Sequence, residues 1–435
     1  MARCPGRSRH ANGSSMTRAK TAISSLLEAF EPLSEAERRL VRELGDGTLV
    51  RLGDGRTPVA PDPTRSVRAA LLRALLVQGG NGRGLHEKGL RLGGAWISGT
   101  LDLEGCRIGR NLGVVDGAFD AAPVLRGAMV ESVFLDGSRL PGLVADRLEA
   151  RGDLYLRGAT LTAELRLAGA RIGGELVADG ADVTTSDTVA VDAERVRTAG
   201  SVLLRGASLK GGLRLVGADI GADLVLTGAQ LAGVGTSAVE GDGLQARGDL
   251  ALRMGRFEGD VTFVGARVGG DVDVGGSSFV APDGAALSLA RADIDGAFIA
   301  RRGCAFEGSV NLSGARVDAV VDDPAHWPEP GGLLLNHFSY AAILGGPADA
   351  EVRLRWLALQ DPARWGEDFW PQPYEQLSTV LADMGHDDDA RRVLLEKERL
   401  QRRARRQRVR SWSWRRALEV KDALLYVTVG FGRVP

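Results

Sequence analysis

Residues 154–183 read LYLRGATLTAE, LRLAGARIGGE and LVADGADV, three runs of one template, L-x-L-x-G-A-x-(L/I/V)-x-G-x, which is eleven residues long. The template restarts at Val202, Leu213 and Leu224, and again at Leu250, Val261 and Val272. It is already present at Leu90, Leu101 and Leu112. A longer period lies above it. Blocks begin at Leu154, Val202, Leu250 and Phe298, evenly spaced by four templates plus four further positions. Weaker units at Val191, Val239 and Leu287 complete the blocks. Each follows a four-residue insertion, within 183–188, 231–236 and 279–284.

The L-x-L fragment has the two-residue period of a strand and turns both leucines to one side. The glycine that follows permits a corner, and A-x-(L/I/V) is a second short strand with its alanine and aliphatic residue inward. Eleven residues enclose too little space for these side chains, whereas two units together close a four-sided coil. The expected fold is mainly β, a right-handed parallel β-helix of ten or eleven coils over residues 85–320. One coil cannot bury its own apolar face, so stability must come from stacking, and the ends need caps.

Composition agrees. Of 435 residues 59 are glycine and only 5% are aromatic, and six of the seven tryptophans follow residue 326. The first three quarters must therefore pack on small aliphatics, which suits a repeat better than a globular enzyme. Cys4, Cys106 and Cys304 are odd in number and far apart, so neither a disulfide framework nor a zinc ribbon is expected. No secretory signal is visible, and no run of 18 apolar residues exists to span a membrane.

The pentapeptide-like cores, such as ADIGA at 218–222 and ARIGG at 170–174, resemble a relaxed pentapeptide repeat. The whole layout resembles an actinobacterial pentapeptide-repeat-like membrane-associated family: helical N-terminus, eleven-residue repeats, a PYEQL helix, a basic stretch, then VTVGFGRVP. Usage of 50 Arg against 5 Lys suits a GC-rich genome. Members of that family often carry the label "membrane-associated oxidoreductase", and their VTVG(F/Y)G segment normally precedes spanning segments. This chain stops at Pro435, so the resemblance implies a truncated or naturally short member, and Met16 is a candidate start.

The expected organisation is a disordered basic tail (1–20), a helical N-terminal cap (21–84), the repeat domain (85–320), an irregular C-terminal cap (321–371), a helix pair (372–410) and an Arg/Trp segment (411–435). Ser34 and Glu37 have capping-box spacing before RRLVREL. The Pro-rich stretch 57–64 reads as a linker, and 66–77 as an amphipathic helix over the first coil. Residues 333–344 should close the last coil. Tyr374, Leu377, Leu381 and Met384 form one face of a helix, and Ala390, Val393, Leu394 and Leu400 point inward from a second.

The stretch 399–416 carries nine arginines and no acid, which leaves −10 for the rest of a chain whose net charge is −1. This asymmetry is the main functional signal. The residues expected at an anionic membrane surface are Arg402, Arg403, Arg405, Arg406, Arg408, Arg410, Trp412, Trp414, Arg415 and Arg416, with the indoles at headgroup level and 423–431 as a short apolar insertion. A phosphate-binding role is the competitor, but no DNA- or RNA-binding module surrounds the stretch. A solvated helix face is the plain alternative.

The three insertions recur two coils apart and should line up as a ridge for an unknown protein partner, with Thr185, Asp187, Val234, Thr236, Pro282 and Asp283 on it. The acids that precede many units (Asp153, Glu164, Glu175, Asp223, Asp249, Asp260, Asp271) could form a cation-holding or glycan-cleaving ladder. Their recurrence along the chain favours turn residues. Gly233–Ala238 matches GxGxxA, but a dinucleotide fingerprint must open a helix after a strand, and this one sits in an insertion. A DNA-mimicking rod needs a strongly acidic face, which the net charge of about −7 over 85–320 does not supply. Cys106 and Cys304 fall in or beside small inward slots, and His337 with Tyr340 reads as cap packing. No catalytic, metal-ligating or cofactor-binding residue is expected. The sequence reading is a non-catalytic interaction scaffold on the cytoplasmic face of the membrane, with the oxidoreductase label as the alternative and a carbohydrate-active β-helix after it.

Overall fold

The computed structural model describes residues 27–79, 85–408 and 421. The protein is mainly β, a parallel β-solenoid of about 11 turns with helices in the N-terminal region and a C-terminal helix pair. The chain divides into two compact units, Met1–Gly211 and Gly212–Pro435.

In the N-terminal unit every registered pairing is parallel, and the strands stack in four columns. One column runs Val50–Arg51, Leu90–Gly93, Leu112–Val115, Val133–Phe134, Leu154–Tyr155, Leu176–Val177 and Val202–Leu203. The template explains the packing. In the unit from 165 to 175, Leu165, Leu167, Ala170 and Ile172 are all buried while the residues between them face outward. The Ala170 N–H donates to the Leu167 carbonyl at 2.9 Å and closes a tight corner whose third residue, Gly169, has φ +67. Only glycine takes that conformation without a Cβ penalty, which is why G-A recurs at most of these corners.

Turn length is uneven. Leu154 pairs with Leu176 and Leu176 in turn with Val202, so a turn of two templates is followed by one that is four positions longer. The same alternation occurs in the C-terminal unit, where Leu224, Leu250, Val272 and Phe298 are successive partners. The extra positions loop out of one column. Ala232 pairs with Glu258 and Ser237 with Asp260, so the insertion is absorbed against a two-residue step of its neighbour.

The recurrent acids hold successive turns together. Asp153 Oδ1 accepts the Glu175 N–H at 2.9 Å. In the C-terminal unit Asp223, Asp249 and Asp271 form a chain in which each carboxylate accepts the next turn's amide, at 2.9, 2.9 and 2.8 Å. The glycine before each donating amide makes room: a Cβ on Gly270 would collide with Asp249 Oδ1, and one on Gly296 with Asp271 Oδ1. Acid and glycine are thus coupled one turn apart. Asp249→Ala should cost about 1 kcal/mol for the lost acceptor. Gly270→Ala should cost more, and the double variant should be less damaged than the sum of the two. Denaturation midpoints of the three proteins check this, and additive losses would refute the coupling.

The N-terminal helix α1 (Glu35–Glu43) starts at Ser34 with both bonds of the expected capping box in place. Glu37 is buried and grips Arg68. Burial pushes its carboxyl up, but the Arg68 guanidinium and the Arg68 and Ser34 amides outweigh this and hold it below its ordinary value. The expected helix at 66–77 starts late. Ser66–Arg68 is a strand paired in parallel with Trp96–Ser98, and α2 runs over Ala69–Gly79. Ladder hydrogen bonds to an otherwise open solenoid edge override helix propensity there. Stretch 57–64 lies along the solenoid, with Thr57 Oγ1 donating to the Gly137 carbonyl at 2.9 Å.

At the other end the region expected to be irregular contains helix α3 (Ala350–Leu357), capped by the Asp349 carboxylate. Its Arg353 is fully buried and makes a two-pronged ion pair with buried Asp322, at 2.7 and 2.8 Å. The guanidinium lies 5.8 and 5.6 Å from the Trp327 and Trp356 rings, and Trp327 Nε1 donates to the same carboxylate at 2.8 Å. Helix α4 (Gln372–Asp383) and helix α5 (Asp387–Arg408) form the expected pair. Gln372 and Gln376 donate to the Phe338 and Tyr340 carbonyls and cover the edge of the last turn. Tyr374, Leu377 and Leu381 are buried as read, as are Ala390 and Val393, while Leu394 and Leu400 are only half-buried.

Candidate interaction surfaces

The outward residues of the solenoid decide what it can touch. In the N-terminal unit one outer column reads Arg107, Met129, Glu149, Arg171 and Arg197, each paired in register with the next. Beside it lies an open trough of about 720 Å³, lined also by Val130, Glu131 and Arg151. Its lining combines the buried Ile108, Val130 and Ile172 with the charged side chains of Arg107, Glu131, Glu149, Arg151, Arg171 and Arg197. Met129 is 40% exposed within the column, an unusual place for a large apolar side chain. Glu149 engages Arg171 at 3.3 Å and Glu131 engages Arg151 at 2.9 Å. Arg107 and Arg197, at the two ends, have no ion pair or hydrogen bond from their side chains among the described residues.

A second basin adjoins the trough and shares Arg171 and Arg197 with it. Here Arg147 and Arg195 occupy the corner position at φ +54 and +53, where the corners before and after Arg147 carry glycine at Gly127 and Gly169. A Cβ in that region costs roughly 1–2 kcal/mol, and Met254, Arg291 and His337 adopt the same conformation elsewhere in the chain. The comparable outer column of the C-terminal unit is instead balanced in sign. It reads Asp219, Gln245, Arg267, Asp293 and Arg316, with Arg316 and Asp293 4.0 Å apart.

Insertions two and three flank the same strand, Arg256–Thr262, and so share one edge of the C-terminal unit. Pro282 and Asp283 are exposed there. Thr185, in the first insertion, is 8% exposed and faces inward. The backbone of Asp187 lies in strand Asp182–Asp192 and that of Val234 and Thr236 in strand Gln230–Glu240, but their side chains lie outside the described residues. Gly233–Ala238 is part of that strand and opens no helix, so it lacks the strand-turn-helix geometry of a dinucleotide fingerprint.

Of the basic stretch, Arg403 and Arg405 are exposed and Arg402 and Arg406 half-buried on the last turns of α5, where Arg402 Nε lies 3.8 Å from Glu398. The side chain of Arg408 and all of Arg410, Trp412, Trp414, Arg415 and Arg416 lie outside the described residues. Among the described residues no helix is long and apolar enough to cross a membrane.

Burial pushes the Cys304 thiol up to about 11, so it stays protonated and packs as a small hydrophobe. Tyr340 is buried against Phe338 and Trp356, and burial drives its phenol well above the ordinary value. The His337 backbone amide bonds to Gln372 at 2.8 Å, so both residues serve the cap. The unpaired arginines of the trough were not singled out in the sequence, because nothing local distinguishes them from the many other outward arginines. No protein-family model matches the chain, and no curated protein matches it.

Proposed function

We propose that this chain is a non-catalytic repeat scaffold that holds protein partners at the cytoplasmic face of a membrane, bound to anionic lipid through its basic C-terminal stretch. The observation that carries this reading is the charge layout of α5. Asp387, Asp388 and Asp389 occupy its first turn, and arginines fill its last turns with Arg403 and Arg405 exposed. Both choices suit the helix dipole, and they place cationic groups where a negative surface can reach them. Five of the acids that could have served a glycan-cleaving site, Asp153, Asp223, Asp249, Asp260 and Asp271, each accept an amide of the next turn. The resemblance in repeat, PYEQL helix and basic stretch supports the same role.

The test is co-sedimentation with vesicles containing phosphatidylserine at low and high salt. Binding should fall steeply with salt. Changing Arg402, Arg403, Arg405 and Arg406 to Gln should weaken it about a hundred- to a thousandfold, at roughly 1 kcal/mol per basic residue. Binding that ignores both salt and the four changes would overturn the proposal.

A further inference from the structure

We propose that the arginine-rimmed trough of the N-terminal unit binds an extended peptide with two acidic side chains about six residues apart and an apolar side chain between them. The pattern follows from the column itself. Arg107 and Arg197 stand four rungs apart, which at about 4.8 Å per strand is about 19 Å. Extended chain covers that span in about six residues, and residues at even spacing face the same side. The two end arginines have no protein partner among the described residues, so they can engage a ligand without breaking an existing pair.

Between the ends the trough offers a different chemistry. Met129 presents an exposed thioether, and Glu149 and Glu131 place negative charge on the rim. A uniform polyanion such as nucleic acid would set phosphates against those carboxylates. A flat bilayer would not enter a concave trough. A peptide with acids near its ends meets the two end arginines, its apolar side chain meets Met129, and the Glu149–Arg171 and Glu131–Arg151 pairs between them stay intact. In the adjoining basin Arg147 adds positive charge beside the same arginines, while Arg195 is paired with Glu194 at 2.9 Å. The trough shares no residue with the basic stretch on α5.

The probe is a fluorescein-labelled nine-residue peptide with aspartates at its second and eighth positions and leucine at its fourth, the remainder being alanine and serine. Fluorescence anisotropy with the full chain should give saturable binding. The double variant Arg107→Gln/Arg197→Gln should weaken it at least tenfold, and Met129→Gln several-fold. Arg267→Gln, on the balanced column of the C-terminal unit, should leave it unchanged. Thermal melts confirm that the variants fold, which is expected because all four side chains are exposed. No saturable binding, or binding that the double variant retains, overturns the proposal. So does single-stranded DNA competing as well as unlabelled peptide, since that outcome assigns the trough to polyanions. Vesicle binding by the double variant should be intact, so the membrane reading and this one can fail separately.

Discussion

Arg353→Ala should be among the most damaging single changes in the C-terminal unit. The alanine would leave the Asp322 carboxylate, 5% exposed, with the Trp327 N–H as its remaining side-chain donor. Breaking one side of a buried pair costs about 3–5 kcal/mol, because the surviving charge has lost both water and partner. At about 2–4 °C per kcal/mol for a unit of this size, the Tm should fall by roughly 6–20 °C. Two further losses act in the same direction: the bond from Arg353 Nε to the Pro347 carbonyl at 2.7 Å, and the cation between two indoles. Arg353→Met combined with Asp322→Leu should be less destabilising than Arg353→Ala, since it removes both charges and keeps the volume. Calorimetry on the three proteins decides, and a Tm for Arg353→Ala within about 2 °C of the parent would show that the pair does not hold the cap.

Phe279→Ala should cost at least as much. Phe257, Phe279 and Phe306 occupy one register position on three successive turns, with ring centroids 5.0 and 5.3 Å apart and planes within 13°. Phe279 is the middle ring and fully buried. Its truncation opens a cavity that rigid neighbouring turns cannot fill, at about 3–5 kcal/mol. It also removes two stacking contacts worth about 0.5–1.5 kcal/mol each. Phe306→Ala, at the half-buried end of the stack with one ring neighbour, should cost clearly less. Denaturant titration of both variants makes the comparison, and a loss for Phe306→Ala equal to or larger than that for Phe279→Ala would refute this ordering.

Both predictions rest on contacts between residues a full turn or more apart, and this is where sequence reading stopped. The eleven-residue template carries its own explanation. Leu165, Leu167, Ala170 and Ile172 are spaced so that one local geometry buries all four, and Gly169 permits the corner that the geometry demands. Such information is local and repeated, so it was legible, as was the capping box at Ser34. The acids before each unit were legible as turn residues. Their pairing with a glycine and an amide in the next turn was not, because it depends on a register in which short and long turns alternate.

The sequence alone therefore determined the solenoid, its four-sided turn and its need for caps, because one coil cannot bury its apolar face and the template says which face that is. Tertiary structure decided the rest. It converted Ser66–Arg68 from helix to edge strand, buried Arg353 against a carboxylate far back along the chain, and turned Thr185 inward. It also brought Arg107, Met129, Glu149, Arg171 and Arg197 into one column through successive steps of unequal length. Burial repeats with the chain and can be counted along it, whereas outward charge acquires meaning only when unequal turns set particular side chains side by side.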